Sequence, residues 1–216
     1  MKKIMMLLTC VVSAVSLTAQ AALPNDAKLS LNKNNIKVWT YKDTNSPVLS
    51  YKAETVFDVP IEKAVALILD VNYTPKWVPN VAKAEILSRD DKKGEFTIYM
   101  VLDFPFPLKD RDMVVKGKMS KDKNGTISIK NTAIQQGKPL NANYIRLTDY
   151  FGDWTFQKLS TNQVKVTTTG HANPEGSIPA SVTNLLVEQQ PYQMFQRMKV
   201  ELAKKTKMPT LPDILK

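Results

Sequence analysis

The sequence predicts an α+β domain in which an antiparallel meander of strands precedes one long C-terminal helix. Between about Ala82 and His171, apolar runs of strand length follow one another at turn-sized gaps. None of these gaps is wide enough for a helical crossover, so neighbouring strands run antiparallel. From about Pro179 to Lys205 the apolar residues recur at helical spacing instead. A third observation concerns Asp103 to Val115, Asp-Phe-Pro-Phe-Pro-Leu-Lys-Asp-Arg-Asp-Met-Val-Val, which sets an arginine among hydrophobes directly after a Pro-rich turn.

The first 21 residues have the pattern of a signal peptide. Lys2-Lys3 form the charged start, Ile4 to about Leu17 the apolar run, and Ala19-Gln20-Ala21 the small-residue cleavage site. The run falls short of the ~20 apolar residues that a membrane span needs. Cys10, the single cysteine, lies inside it, so the processed chain has no disulfide, thiol nucleophile or cysteine metal site. Leu7-Leu8-Thr9-Cys10 makes a poor lipoprotein box, because Thr9 is larger than the small residue usual there. Export without disulfides suits a bacterial periplasm, with secretion as the counterpart where there is no outer membrane.

Residues 22–35 are polar and rich in Asn and Lys, expected as a short helix or loose lead-in. Ile36–Lys42 and Val48–Asp58 form a hairpin around Asn45-Ser46-Pro47. Pro60 favours a helix start, and Ile61–Leu69 carries amphipathic spacing. Strands are expected at Ala82–Ser88, Phe96–Phe104, Arg111–Ser120, Thr126–Ala133, Tyr144–Asp149, Trp154–Leu159 and Gln163–His171. In the last helix, Val182, Leu185, Leu186 and Tyr192 make one face, and Met194, Phe195, Met198 and Leu202 a rotated one. Pro191 between them should kink it. One domain, 36–207, is thus followed by a tail, 208–216.

Strand alternation puts Arg111, Met113 and Val115 on one face, and Asp112, Val114, Lys116 and Lys118 on a wet one. Arg111 points inward, where a guanidinium must find a carboxylate, a carbonyl or a ligand. Asp110 and Asp112 point away from it, for turn capping or surface pairing. On the preceding strand Phe96, Ile98, Met100, Leu102 and Phe104 share the inward parity, and Asp103 does not.

Several segments resemble, in order over about residues 36–205, the START domain, the steroidogenic-acute-regulatory-related lipid-transfer family. Ala64 to Asp70 leads into Tyr73-Thr74-Pro75-Lys76-Trp77, then Val81 and Ala84 to Leu87. The Pro-rich turn precedes Arg111-Asp112. Gly152-Asp153-Trp154-Thr155-Phe156 resembles the Gly-x-Trp strand, and His171 to Pro179 the loop that launches the last helix. The resemblance implies a helix-grip fold, a curved antiparallel sheet wrapped around the C-terminal helix and enclosing a hydrophobic tunnel. It also implies binding or transport of a lipid or other hydrophobic small molecule, with neither catalysis nor a cofactor. Trp77 matches the family's tryptophan near the tunnel cap and is lid, lining or membrane anchor. The expected lining comprises Met100, Leu102, Met113, Val115, Trp77, Trp154, Leu185 and Tyr192, with Arg111, Asn131 or Gln189 orienting a polar head. Several animal members supply Arg111 with an acidic partner from the strand before the turn; the parity of Asp103 departs from this.

Other classes fit less well. His171, the only histidine, has no Gly-x-Ser-x-Gly elbow or companions at metal-ligand spacing, and is expected to be structural or solvent-facing. A polyketide cyclase or aromatase of the same superfamily, and an envelope-interaction module with a filled cavity, are the alternatives. The net charge of +10 is spread in scattered lysines without an arginine-rich block, which suits a solvated surface or transient contact with anionic membrane rather than nucleic acid. A monomer is expected. Processing is tested by intact mass of the exported protein: Ala22 should be the first residue, and a full-length or Cys10-lipidated species would refute it.

Overall fold

Asn34 and Asn35 both carry positive φ, 53° and 61°, the pair of left-handed residues that a two-residue hairpin turn of the I′ kind requires. They fold β1 (Lys28–Lys33) back onto β2 (Ile36–Lys42). The polar segment expected as a helix or loose lead-in is therefore an edge strand. Leu29 and Leu31 supply only two turns of alternation among Lys and Asn, too little to announce it. The computed structural model describes residues 23–42, 46, 48–176 and 178–216, with the side chains of 180, 181, 184 and 185 excepted. The expected signal peptide and most of the Asn45-Ser46-Pro47 turn lie outside these residues.

After β2 come β3 (Leu49–Phe57), α1 (Ile61–Leu69) and a 3-10 segment, Val71–Lys76, that turns the chain into β4 (Val81–Asp90). The meander continues as β5 (Glu95–Leu102), β6 (Arg111–Lys121) and β7 (Ile127–Ile134). Asp122 Oδ1 accepts from the amides of Asn124 (2.9 Å) and Thr126 (2.8 Å) to set the β6–β7 turn, while Gly125 takes φ 79°. The segment expected as an antiparallel strand at Tyr144–Asp149 shrinks to the two residues of β8 (Ile145–Arg146), which pair in parallel with β6. Then β9 (Tyr150–Ser160), β10 (Gln163–Ala172) and α2 (Ala180–Lys204) complete the chain, with a 3-10 turn at Asp213–Leu215.

The strands form one open antiparallel sheet in the order β1-β2-β3-β10-β9-β7-β6-β5-β4. The β3–β10 pairing joins the N-terminal hairpin to the last strand, and bulges near Lys83 and Ser88 bend the β4 edge. Into this curve α2 packs against β2 and β3, and α1 against β9 and β10. The Met194, Phe195, Met198 and Leu202 face is buried as expected. Phe195 meets Phe57 and Trp154 edge-on, with centroids at 5.9 and 6.2 Å. The helix runs continuously through Pro191, which cannot supply the usual amide donor to the Val187 carbonyl. The tail is docked on the core: Leu211 and Leu215 are buried and Lys121 Nζ donates to the Lys216 carbonyl.

Phe195 is fully buried where helix, α1 and sheet meet. Phe195→Ala should cost about 3–5 kcal/mol in chemical denaturation, through lost transfer energy and the void left behind. A loss below about 1 kcal/mol would show that the site collapses around the deletion.

Candidate ligand cavity and the polar clamps beside it

Register fixes which side chains face the concave side. Met100 pairs with Met113 and Ile98 with Val115 across β5 and β6, so even positions of β5 and odd positions of β6 share the inner face. There they line a cavity of about 170 Å³ bounded by the sheet, the Val71–Lys76 segment and α2. Met100, Leu102, Met113 and Val115 all line it, as the alternation predicts. So do Trp77, Trp154 and Asn131. Trp77 is buried and edge-on to Trp154 at 6.0 Å, which places it as lining and not as an exposed anchor.

Three expected residues stand elsewhere. Gln189 gives way to its neighbour Gln190, whose Nε2 donates to the Pro79 carbonyl at 3.4 Å. One residue along a helix is about 100° of rotation, enough to exchange the two. Tyr192 turns its hydroxyl to the β1–β2 hairpin and accepts from Asn34 Nδ2 (2.8 Å) and Gln196 Nε2 (3.0 Å). Arg111, though 1 % exposed, is not in the lining. Leu185 lies outside the described side chains. Sequence reasoning missed Tyr51, Tyr150 and Thr168, which form the cavity's polar wall. Their signal was parity: Tyr150 and Gly152 alternate in step with Trp154.

Arg111 finds carbonyls. Its Nε donates to Pro174 O (3.0 Å), Nη2 to Glu175 O (3.1 Å) and Nη1 to Lys109 O. Its guanidinium lies 4.2 Å from the centroid of the Phe104 ring. Burial lowers its pKa, opposed by the nearby Asp110 carboxylate, and the group stays charged. One side chain thus ties the Pro-rich loop to the loop that launches α2. Asp110 caps the Pro-rich loop by accepting from the Phe104 amide at 3.0 Å, in line with the expected turn capping.

The expected wet face of β6 holds at the exposed Lys116 and Lys118 and fails at Asp112. It is buried, as is Val114, because residues 135–147 fold over this side of the sheet. Arg146 Nε and Nη2 donate to its two oxygens at 2.7 and 2.9 Å, the fork geometry of a strong ion pair. Tyr99 adds a hydroxyl donor at 2.9 Å. Desolvation and the adjacent carboxylate push the Tyr99 phenol up to about 12, while Asp112 raises the pKa of Arg146. Arg146 also donates to the carbonyls of Lys138 and Pro139, both at 3.2 Å, and so pins the covering loop.

His171 is buried, with Nδ1 at 3.1 Å from Ser50 Oγ and Nε2 at 3.4 Å from Asp149 Oδ2. The trio has the members of a hydrolytic triad but not its access, since Ser50 is 0 % exposed. Stacking of the imidazole on Phe151 fits a packing role. Among the described residues no group of three or more His, Cys, Asp or Glu is placed to hold a metal.

The curved sheet gripping a C-terminal helix around an apolar cavity defines a helix-grip protein. The START domain model matches residues 9–207, and the chain belongs to that family. It is 27 % identical over 184 residues to an uncharacterised protein of Pseudomonas aeruginosa, covering 85 % of this chain and 90 % of that one. A STAR-related lipid transfer protein from Xanthomonas axonopodis superposes with TM-score 0.76 at 27 % identity, covering 83 % of this chain and 99 % of the other. An aromatase/cyclase from Streptomyces shares the fold more distantly: TM-score 0.50 and 13 % identity, over 73 % of this chain and 95 % of that one.

The two arginines should behave differently. Arg146→Met strands the buried Asp112 and should destabilise by about 3–5 kcal/mol. Arg111→Met strands only carbonyls and should cost about 1–3 kcal/mol. Denaturant melts of both variants check the order, and the reverse order would refute it.

Proposed function

We propose that this protein is a carrier that binds one lipid or other hydrophobic small molecule in the interior cavity, without catalysis. The observation that carries this reading is the cavity itself, apolar along β5 and β6, lined by two tryptophans, and built in a START domain. Its 170 Å³ is below the roughly 300–1,000 Å³ usual for drug-sized ligands, so a long-chain molecule enters only as the fold opens. Arg111 couples the Pro-rich loop to the start of α2, and these two elements form the gate as one unit.

The carrier works as an exported monomer, in a periplasm if the source has an outer membrane, and does not engage nucleic acid. Phe106 and Leu140 are 97 % and 77 % exposed on loops bridged by Lys109 Nζ donating to the Ala142 carbonyl at 3.3 Å. With a basic chain behind them, these apolar tips suit transient contact with an anionic bilayer. Among the described residues no helix is long and apolar enough to cross a membrane.

Native mass spectrometry of protein purified from its own envelope should show a monomer with one extractable hydrophobic molecule. After delipidation the protein should move that molecule between anionic vesicles. A preparation that arrives empty and stays empty with vesicles would point to an interaction module, and chemical conversion of the bound molecule to an enzyme of the cyclase kind.

A further inference from the structure

The cavity gathers its polar groups on one wall. Gly152 and Gly170 face each other across β9 and β10, and Gly170 also pairs with Tyr51 on β3. A Cβ on Gly170 would come 2.6 Å from the Tyr51 ring and hydroxyl, and one on Gly152 would run into the Tyr150 hydroxyl. Two bare backbone positions side by side thus make room for two phenols, whose hydroxyls converge on one patch. Thr168, two residues from Gly170 and so on the same face, stands beside Tyr51. Asn131 reaches the patch from β7 and donates Nδ2 to the Gly152 carbonyl at 2.5 Å.

Part of this equipment is unused within the protein. Asn131 Oδ1 is buried without a hydrogen-bond partner, as is Trp77 Nε1 across the cavity, while the Thr168 hydroxyl is shared with Tyr51. Buried polar atoms rarely stay unpaired without a function. Burial pushes the Tyr51 phenol up to about 12, with the Thr168 hydroxyl pulling the other way, and pushes Tyr150 upward too. Both therefore remain O–H donors at neutral pH. The lining holds Arg89, already 2.5 Å from Asp91, and His171, 3.4 Å from Asp149, but no lysine or carboxylate. An ionised head brought to the tyrosine patch would lose its water and meet only groups already engaged with a carboxylate.

We propose that the Tyr51, Tyr150, Asn131 and Thr168 wall selects an uncharged head, a hydroxyl on an otherwise apolar molecule, and rejects phosphate and quaternary ammonium heads. A hydroxyl fits because it donates to Asn131 Oδ1 while it accepts from a phenol. This rests on the carrier reading and narrows its ligand class.

The test uses delipidated full-length protein, the fluorescence of Trp77 and Trp154, and three probes of equal chain length kept below their micellar concentrations: dodecanol, dodecyl phosphate and dodecyltrimethylammonium. Dodecanol should bind at least about tenfold tighter than either ion, and the double variant Tyr51→Phe, Tyr150→Phe should lose about tenfold for dodecanol while melting like the parent. If the double variant melts lower, Tyr150→Phe alone makes the comparison and should lose about threefold. Equal binding of all three probes, preference for an ion, or undiminished dodecanol binding by the Tyr→Phe variants overturns the head-group assignment and leaves the carrier reading standing. Failure of all three probes to bind overturns the carrier reading itself.

Discussion

Two oppositely charged neighbours on one strand, facing opposite sides of it, hold the rim of this fold in place. Arg111 points to the concave side and spends its donors on the carbonyls of residues 109, 174 and 175. Asp112 points to the convex side and receives the Arg146 fork and the Tyr99 hydroxyl. Neither charge pairs with the other, because strand geometry turns them apart. Each instead fastens a different loop to β6, so the Pro-rich loop, the entry to α2 and the 135–147 cover share one anchor. Burying two charges side by side is costly, and the cost is offset by three carbonyl acceptors on Arg111 and by the Arg146 fork and Tyr99 hydroxyl on Asp112.

That division of labour bears on function. Arg111 is held by main-chain carbonyls and lies outside the cavity lining, so in the proposed carrier polar recognition falls to the neutral wall around Gly152 and Gly170. The same clamp also restricts the gate proposed for this carrier. Because Arg111 joins the Pro-rich loop to the loop before α2, one cannot swing away without the other or without breaking charge-assisted bonds. In the proposed carrier, opening is then a single event that must enlarge a cavity of about 170 Å³.

Much of the fold was legible in the sequence because it rests on local periodicity. The alternation of Met100 and Leu102 against Met113 and Val115 gave the inner face correctly, and the Met194 to Leu202 spacing gave the buried stripe of α2. What escaped had non-local causes. Asp112 looks solvated on its own strand because Val114 is followed by Lys116 and Lys118; its burial is decided by a loop more than twenty residues later. Arg146, its partner, sits in a run that reads as a plain strand. Gln189 was one residue out of phase with Gln190, an error that a helix turns into a different face. β1 escaped because Lys and Asn mask its two leucines.

The polar wall shows why a site can be harder to read than the fold that carries it. Tyrosine has an apolar body and a polar tip, so Tyr51 and Tyr150 satisfy a strand's apolar pattern whether or not their hydroxyls are needed. The glycines carry the sharper signal. On a sheet face that favours large side chains, Gly152 and Gly170 weaken both strands, and a weakness placed twice in register calls for a reason in space. Here that reason is two phenols lying over bare backbone, which concentrates hydroxyls on one wall of the cavity. Affinity in such a site comes chiefly from the apolar surface along β5 and β6, while the few hydroxyls and one amide decide which head is tolerated.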